Sequence, residues 1–149
     1  MLVADESLVG RYAASVPAPW GTLMARFWPG PLTLLFPALP DLPPGIRSAD
    51  GKVALRVPGS ALCRSVLTAA GGALTGTSAN PSGAAGTGDP GEALRGIAGE
   101  IDLFVNAGTL PPSMASTVVD LDDGGRVMEV RRGRVGFEEV SRALEEEGA

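Results

Sequence analysis

The chain has 149 residues, 44% of them hydrophobic and 19% charged, which is enough for one domain with a sizeable core and too few for two comfortable ones. A net charge of −5 and a pI of about 4.7 argue against a generally basic surface for nucleic acid or an anionic membrane. Histidine is absent and Cys63 is the single cysteine, which excludes Ser-His-Asp and Cys-His catalysis, an intramolecular disulfide and a cysteine-based zinc site. No apolar run approaches the roughly 18 residues of a membrane span, so a soluble cytoplasmic protein is expected.

In chain order, Leu2–Ala4 is a short apolar run, and Asp5 caps a helix expected to reach about Ala14 with Leu8, Val9 and Tyr12 on its apolar side. Pro17 and Pro19 open a second helix through Phe27, in which Trp20, Leu23, Met24 and Phe27 recur at helical spacing. Trp28-Pro29-Gly30-Pro31 stops that helix, and Leu32–Phe36 reads as a buried strand. After a Pro/Asp/Gly-rich loop over Pro37–Gly51, Val53–Val57 is a strand. Ser60 then caps a helix through Ala70 that Gly71-Gly72 terminates, and Cys63 on this helical pattern reads as a core residue, the alternative being a reactive thiol.

Leu74–Thr77 is a short strand that delivers a small-residue loop, Thr75–Gly83, and Pro81–Gly91 reads as a flexible connection. Glu92–Ala98 is a brief helix, Ile101–Val105 a strand, Asn106–Ser113 a loop and Ser116–Leu121 another strand. Asp122-Asp123-Gly124-Gly125 signals a hairpin into Arg126–Val130, and Glu138–Glu147 closes the chain as a helix with a solvated acidic end. Strands alternating with helices, plus an antiparallel hairpin, indicate a single α/β domain with a mixed sheet.

Few residues carry candidate chemistry. The Thr75–Gly83 loop offers hydroxyl and amide groups from Thr75, Thr77, Ser78, Asn80 and Ser82, with glycines that admit a ligand; it either cradles a phosphate or carboxylate or bonds its own backbone. Arg56, at a strand end, either holds a carboxylate through two parallel bonds or forms a structural ion pair. Lys52 opens the same strand as an exposed edge lysine or an anion contact. Ser116 and Thr117 can donate to a substrate or to a neighbouring strand. Arg131, with Arg132 and Arg134, makes a local basic patch or a solvated basic turn.

Four stretches in order, Phe27–Thr33 (Phe-Trp-Pro-Gly-Pro-Leu-Thr), Lys52–Pro58 (Lys-Val-Ala-Leu-Arg-Val-Pro), Thr75–Gly83 (Thr-Gly-Thr-Ser-Ala-Asn-Pro-Ser-Gly) and Ala115–Leu121 (Ala-Ser-Thr-Val-Val-Asp-Leu), resemble the YrdC-type threonylcarbamoyl-adenylate synthase family, and Arg131-Arg132-Gly133 sits where that family carries its last nucleotide-side arginine. The resemblance implies a YrdC-like twisted mixed β-sheet flanked by helices over residues 1–149. It implies Arg56, Gly76 and Ser116 on the threonine side and Lys52, Ser78, Asn80, Gly86 and Arg131 on the nucleotide side, with no side-chain nucleophile and no dedicated metal ligands. Its reaction joins ATP, L-threonine and bicarbonate, with Mg²⁺ carried by the nucleotide, to give the donor for a tRNA adenosine modification, so tRNA or tRNA-modification proteins are implied partners. The family's front portion, with a Pro-Thr-Glu-Thr segment and a Lys/Arg-rich loop, has no counterpart in these residues. The chain alone is therefore expected to be a poor enzyme, the alternative being a non-catalytic nucleotide- or RNA-binding domain.

Overall fold

The computed structural model describes residues 1–80, 86–97 and 101–147. Its strands and helices are β1 (Leu2–Val3), α1 (Ala18–Phe27), β2 (Leu32–Pro37), β3 (Lys52–Leu55), α2 (Ala61–Ala69), β4 (Ala73–Leu74), α3 (Pro90–Ile97), β5 (Thr117–Leu121), β6 (Val127–Arg131) and α4 (Phe137–Glu147). They fall into two compact units, Met1–Thr75 with Met114–Ala149 and Gly76–Ser113.

The first unit is built on a four-stranded sheet in the order β3-β2-β5-β6, in which β2 and β5 run parallel and the other pairs are antiparallel. The sheet is therefore mixed, as the sequence led one to expect. Alternation along β2 and β3 sends Leu32, Leu34, Phe36, Val53 and Leu55 to one buried face and leaves Thr33, Leu35, Lys52 and Ala54 half-buried on the other. Against the buried face pack Trp20 and Leu23 from α1 and Val140 and Ala143 from α4. Trp20 meets Phe36 edge-on at 6.4 Å, and its indole N–H donates to Leu35 O at 2.8 Å, so the largest core side chain is both packed and hydrogen-bonded.

Local sequence explains the element ends. Ser60 accepts from the Cys63 amide and caps α2, and Gly71 and Gly72 close it with φ of +96° and +103°. At the β5–β6 hairpin, Asp122 Oδ1 accepts from the amides of Gly124 and Arg126, both at 2.9 Å, and Gly125 takes the positive φ. A small antiparallel pair, β1 with β4, completes the unit.

Three expectations differ. The helix foreseen from Asp5 to Ala14 is a 3-10 helix over Glu6–Arg11: Asp5 does cap it through the Ser7 amide, but Ala13 is drawn into a bridge with Ala38 and the Ala14 amide donates to Pro37 O, so the chain turns extended before Ala14. The strand foreseen over Leu74–Thr77 is only Ala73–Leu74, because its partner β1 offers two residues. Ile101–Val105 forms no strand. It pairs with no described residue, and Leu103 is 80% exposed, so the alternating apolar pattern has no ladder to join.

The second unit contains α3, capped by Asp89 Oδ1 accepting from the Glu92 amide at 2.7 Å, with Thr87 Oγ1 donating to Glu92 Oε2 at 2.6 Å. Gly88 lies against the chain near Leu110, whose amide donates to Gly88 O at 2.8 Å; a Cβ at Gly88 would stand 2.2 Å from Leu110 O.

Thr117 is fully buried, and its hydroxyl donates to Val135 O at 2.6 Å while accepting from the Val135 amide at 3.0 Å. Thr117→Val keeps the shape and strands both backbone groups. It should lower unfolding free energy by about 1–3 kcal/mol in urea titrations, whereas a loss within about 0.5 kcal/mol would mean that water reaches Val135.

Candidate functional site

The Trp28–Pro31 turn organises one end of the four-stranded sheet. Trp28 donates its indole N–H to Leu32 O at 2.7 Å, the Gly30 amide donates to Val57 O at 2.8 Å, and Pro31 O accepts from the Thr117 amide at 3.0 Å. The turn therefore ties the end of β3, which carries Arg56, to the start of β5, which follows Ser116. Gly30 is required there, because a Cβ would lie 2.1 Å from Phe27 O.

Arg56 leaves β3 through a parallel bridge with Leu2, and its side chain is half-buried. No carboxylate or carbonyl within hydrogen-bonding range answers its guanidinium among the described residues, and Nε is shielded from solvent without a partner. Burial lowers its pKa from the ordinary arginine value; Cys63 opposes that shift and the nearby positive charge of Arg131 adds to it. A desolvated, unpaired cation beside a second cation is a strong attractor for an anion.

Ser116 and Arg131 are joined directly. Arg131 Nη2 donates to Ser116 O at 2.8 Å and to Ser116 Oγ at 3.0 Å, and Nε donates to Ser116 O at 3.3 Å. Ser116 is 8% exposed, and its hydroxyl also meets Thr33 Oγ1 at 2.9 Å. What permits this arrangement is Gly133. A Cβ there would lie 2.3 Å from both Ser116 C and Thr117 N and 2.5 Å from Ala115 O, and the adjacent Arg134 amide donates to Ala115 O at 2.9 Å.

The structure thus brings together Arg56, Ser116 and Arg131. Arg131, on the nucleotide side by resemblance, bonds the serine of the threonine side. Lys52 stands apart: it lies on the same sheet face as Arg56 but at the other end of β3, roughly 13 Å along an extended strand, and it pairs with Asp120 at 2.6 Å. Arg132 and Arg134 are exposed and enter no ion pair among the described residues.

Gly76, Ser78, Asn80 and Gly86 belong to the second unit. Gly76 and Ser78 are exposed, and Gly86 lies near Asn80, since a Cβ on it would stand 4.0 Å from Asn80 Oδ1. Ser82 and Gly83 of the same loop lie outside the described residues. Sequence reading passed over Thr33, Gly133 and Asp120 as contributors. Thr33 carried a usable signal, being the one hydroxyl in a strand of apolar residues.

The described residues contain no group of three or more His, Cys, Asp or Glu side chains able to hold a metal, and no helix among them is long and apolar enough to cross a membrane. A cleft of about 290 Å³ between Asp5, Trp28, Pro29 and Arg64 includes none of the candidate residues, and Arg64 is already tied to Pro58 O and Gly59 O.

The chain belongs to the Sua5/YciO/YrdC family, whose model, described as telomere recombination, matches residues 1–133. It is 35% identical over 82 residues to a threonylcarbamoyl-AMP synthase of Halorhodospira halophila, covering 55% of this chain and 43% of that protein. It is 30% identical over 143 residues to the threonylcarbamoyl-AMP synthase of Bacillus subtilis, covering 95% of this chain and 41% of that one. The crystal structure of P. abyssi Sua5 complexed with L-threonine superposes with a TM-score of 0.87 at 26% identity, covering 95% of this chain and 42% of that chain. The expected YrdC-type mixed sheet flanked by helices is borne out. The chain spans about two fifths of the length of these relatives.

Gly133→Ala forces a methyl into backbone that has little room to move. It should destabilise the protein by at least about 1–3 kcal/mol in chemical unfolding, while Arg132→Ala next to it stays within about 0.5 kcal/mol. Equal behaviour of the two variants would mean that the strand end yields freely.

Proposed function

We propose that this chain supplies the threonine-binding and nucleotide-binding surface of a threonylcarbamoyl-AMP synthase, which converts L-threonine, bicarbonate and ATP into threonylcarbamoyl-AMP and pyrophosphate for tRNA threonylcarbamoyladenosine formation. The observation that carries this reading is Arg56, half-buried and without an anionic partner among the described residues. A carboxylate bound there satisfies the guanidinium and relieves its desolvation, and Ser116 and Arg131 supply further donors close by. The P. abyssi relative, solved with L-threonine, supports the choice of ligand.

In this reading the threonine ammonium and bicarbonate give a carbamate, one water and one proton. A carbamate oxygen then attacks the α-phosphorus of ATP, the bond from that phosphorus to the α,β-bridging oxygen breaks, and pyrophosphate leaves with the electron pair. Neither step needs a side-chain nucleophile, which suits a chain without histidine. Alignment and charge neutralisation carry the rate. Arg131, with Ser78, Asn80 and Gly86 from the small-residue loop, is proposed for the nucleotide side, and Gly76 for the threonine side. Lys52 is proposed for the nucleotide side too, with Asp120 holding its charge in the meantime. Mg²⁺ enters as the ion of the nucleotide, since no built carboxylate cluster is at hand among the described residues. A cytoplasmic location and contact with tRNA-modification proteins belong to the same proposal; the net charge of −5 favours protein partners over direct, unspecific contact with RNA.

Arg56→Ala should weaken threonine binding by about 2–5 kcal/mol in calorimetric titration while changing ATP·Mg²⁺ binding much less. Equal losses for both ligands would point to collapse of the strand end instead.

Turnover should be slow for these 149 residues assayed alone. The arginines that the described residues bring to the group around Ser116 are Arg56 and Arg131, and each absent preorganised charge contact typically costs 10²–10³ in rate. Pyrophosphate release should depend on both threonine and bicarbonate and fall far below that of the B. subtilis relative. Comparable rates would mean that two arginines suffice, and ligand binding without any release would favour a non-catalytic binding domain.

A further inference from the structure

Thr33 is the one residue of the Trp-Pro-Gly-Pro-Leu-Thr stretch whose side chain reaches the candidate site. Alternation along β2 buries Leu32 and Leu34 and turns Thr33 to the opposite face. Its register partner across the parallel β2–β5 pair is Val118, yet its hydroxyl meets Ser116, two residues upstream, at 2.9 Å. The bond is thus directed at the site and is not the product of simple cross-strand adjacency.

We propose that Thr33 is a positioning residue: its hydroxyl fixes Ser116 Oγ and, through it, the Arg131 guanidinium. Serine has three staggered χ1 wells, and the two contacts of Ser116 Oγ, Thr33 at 2.9 Å and Arg131 Nη2 at 3.0 Å, select one of them. Arg131 is an exposed, long side chain with many rotamers, and the Oγ contact adds to its two bonds to the Ser116 carbonyl in narrowing them. With Nη2 and Nε committed to Ser116, Nη1 is the part of the fork without a hydrogen-bond partner among the described residues.

Proton accounting sets the direction. Ser116 Oγ accepts from Arg131, so one hydroxyl hydrogen bridges the Thr33 and Ser116 oxygens and the other is free. A carboxylate only accepts, so its arrival beside Ser116 selects the order in which Thr33 donates to Ser116 and Ser116 donates to the carboxylate. Donation from Thr33 also strengthens Ser116 as a donor, because hydrogen bonds in a chain polarise one another. With Ser116 only 8% exposed, solvent has little access to replace the Thr33 hydroxyl.

The carboxylate step rests on the threonine reading above, so the test has one arm that needs no substrate. In the 149-residue chain, solvent exchange of the Arg131 Nη2 hydrogens, one of which bonds Ser116 Oγ, followed by NMR, should quicken about 3–10-fold in Thr33→Val, the size of one neutral hydrogen bond, and stay within about twofold of wild type in Thr33→Ser. Ser116→Ala should quicken it by itself and leave Thr33→Val without further effect. Unchanged exchange in Thr33→Val, or an undiminished effect of Thr33→Val in the Ser116→Ala background, overturns the proposal. In the second arm, the Kd for threonine should rise about 3–10-fold in Thr33→Val and recover in Thr33→Ser. If the wild-type chain binds no threonine while the exchange effect is present, the threonine reading fails and the positioning role stands.

Discussion

The Ser116–Arg131 pair at the candidate site depends on how closely the backbone at Gly133 lies against that of Ala115–Thr117. A Cβ at 2.3 Å from two of those backbone atoms leaves no alternative to glycine, and this one absence of a side chain lets the strand leaving β6 press on the strand entering β5. From that contact follow the Arg131 bonds to Ser116, the Arg134 amide bond to Ala115 O and the two bonds of the Thr117 hydroxyl to Val135. A register shift in β6, between the partners of Val118 and Val119, lets Arg131 arrive opposite Val118 at the same place. Backbone geometry and side-chain chemistry are set by a single close approach.

Electrostatics then separates the cations that are available from those that are committed. The chain carries 17 acidic and 12 basic residues, so an arginine placed at random on its surface has acids to find. Lys52 and Arg126 have found theirs, Asp120 and Asp122. Arg56 has found none among the described residues, although it is half-buried and its pKa is lowered by that burial. Arg131 adds repulsion, which Cys63 opposes. Such an arrangement is unfavourable in isolation and is relieved by an anion, which is why it argues for a binding role more strongly than an exposed basic cluster does.

The fold was legible where the signal is local. Ser60 with Gly71-Gly72 bounded α2, Pro17 and Pro19 announced α1, and Asp122–Gly125 announced the β5–β6 turn, because caps and turns are decided within a few residues. It was illegible where a partner decides. Ile101–Val105 has the residues of a strand and pairs with nothing described, and Leu74–Thr77 is cut to the length of its partner. The site divides in the same way. Arg56, Ser116 and Arg131 each stood out by type and position, but nothing in the sequence said that the last two are bonded to each other, or that Lys52, on the same strand face as Arg56, is held by Asp120. Thr33 and Gly133 act only through contacts with residues more than a dozen positions away, which no pattern within the Trp-Pro-Gly-Pro-Leu-Thr or Arg-Arg-Gly stretches records.

These contacts bear on what a histidine-free group can do. Arg56, Thr33, Ser116 and Arg131 all belong to the first unit, and the bonds that order them are internal to it. Arginine cannot take up a proton and the hydroxyls titrate far outside the neutral range, so the group is fit to fix and neutralise an anion and unfit to shuttle protons. A reaction housed here must therefore start from reactants that need orientation more than activation. The reaction proposed above, an amine adding to a carbon dioxide equivalent followed by a carbamate meeting a phosphate whose leaving group is already good, is of that kind, and it is for that reaction that Arg56 is proposed to hold the carboxylate and Arg131 the phosphate side. Under that proposal the close approach at Gly133 serves the site by placing Arg131 on Ser116, without any atom of Gly133 touching a substrate.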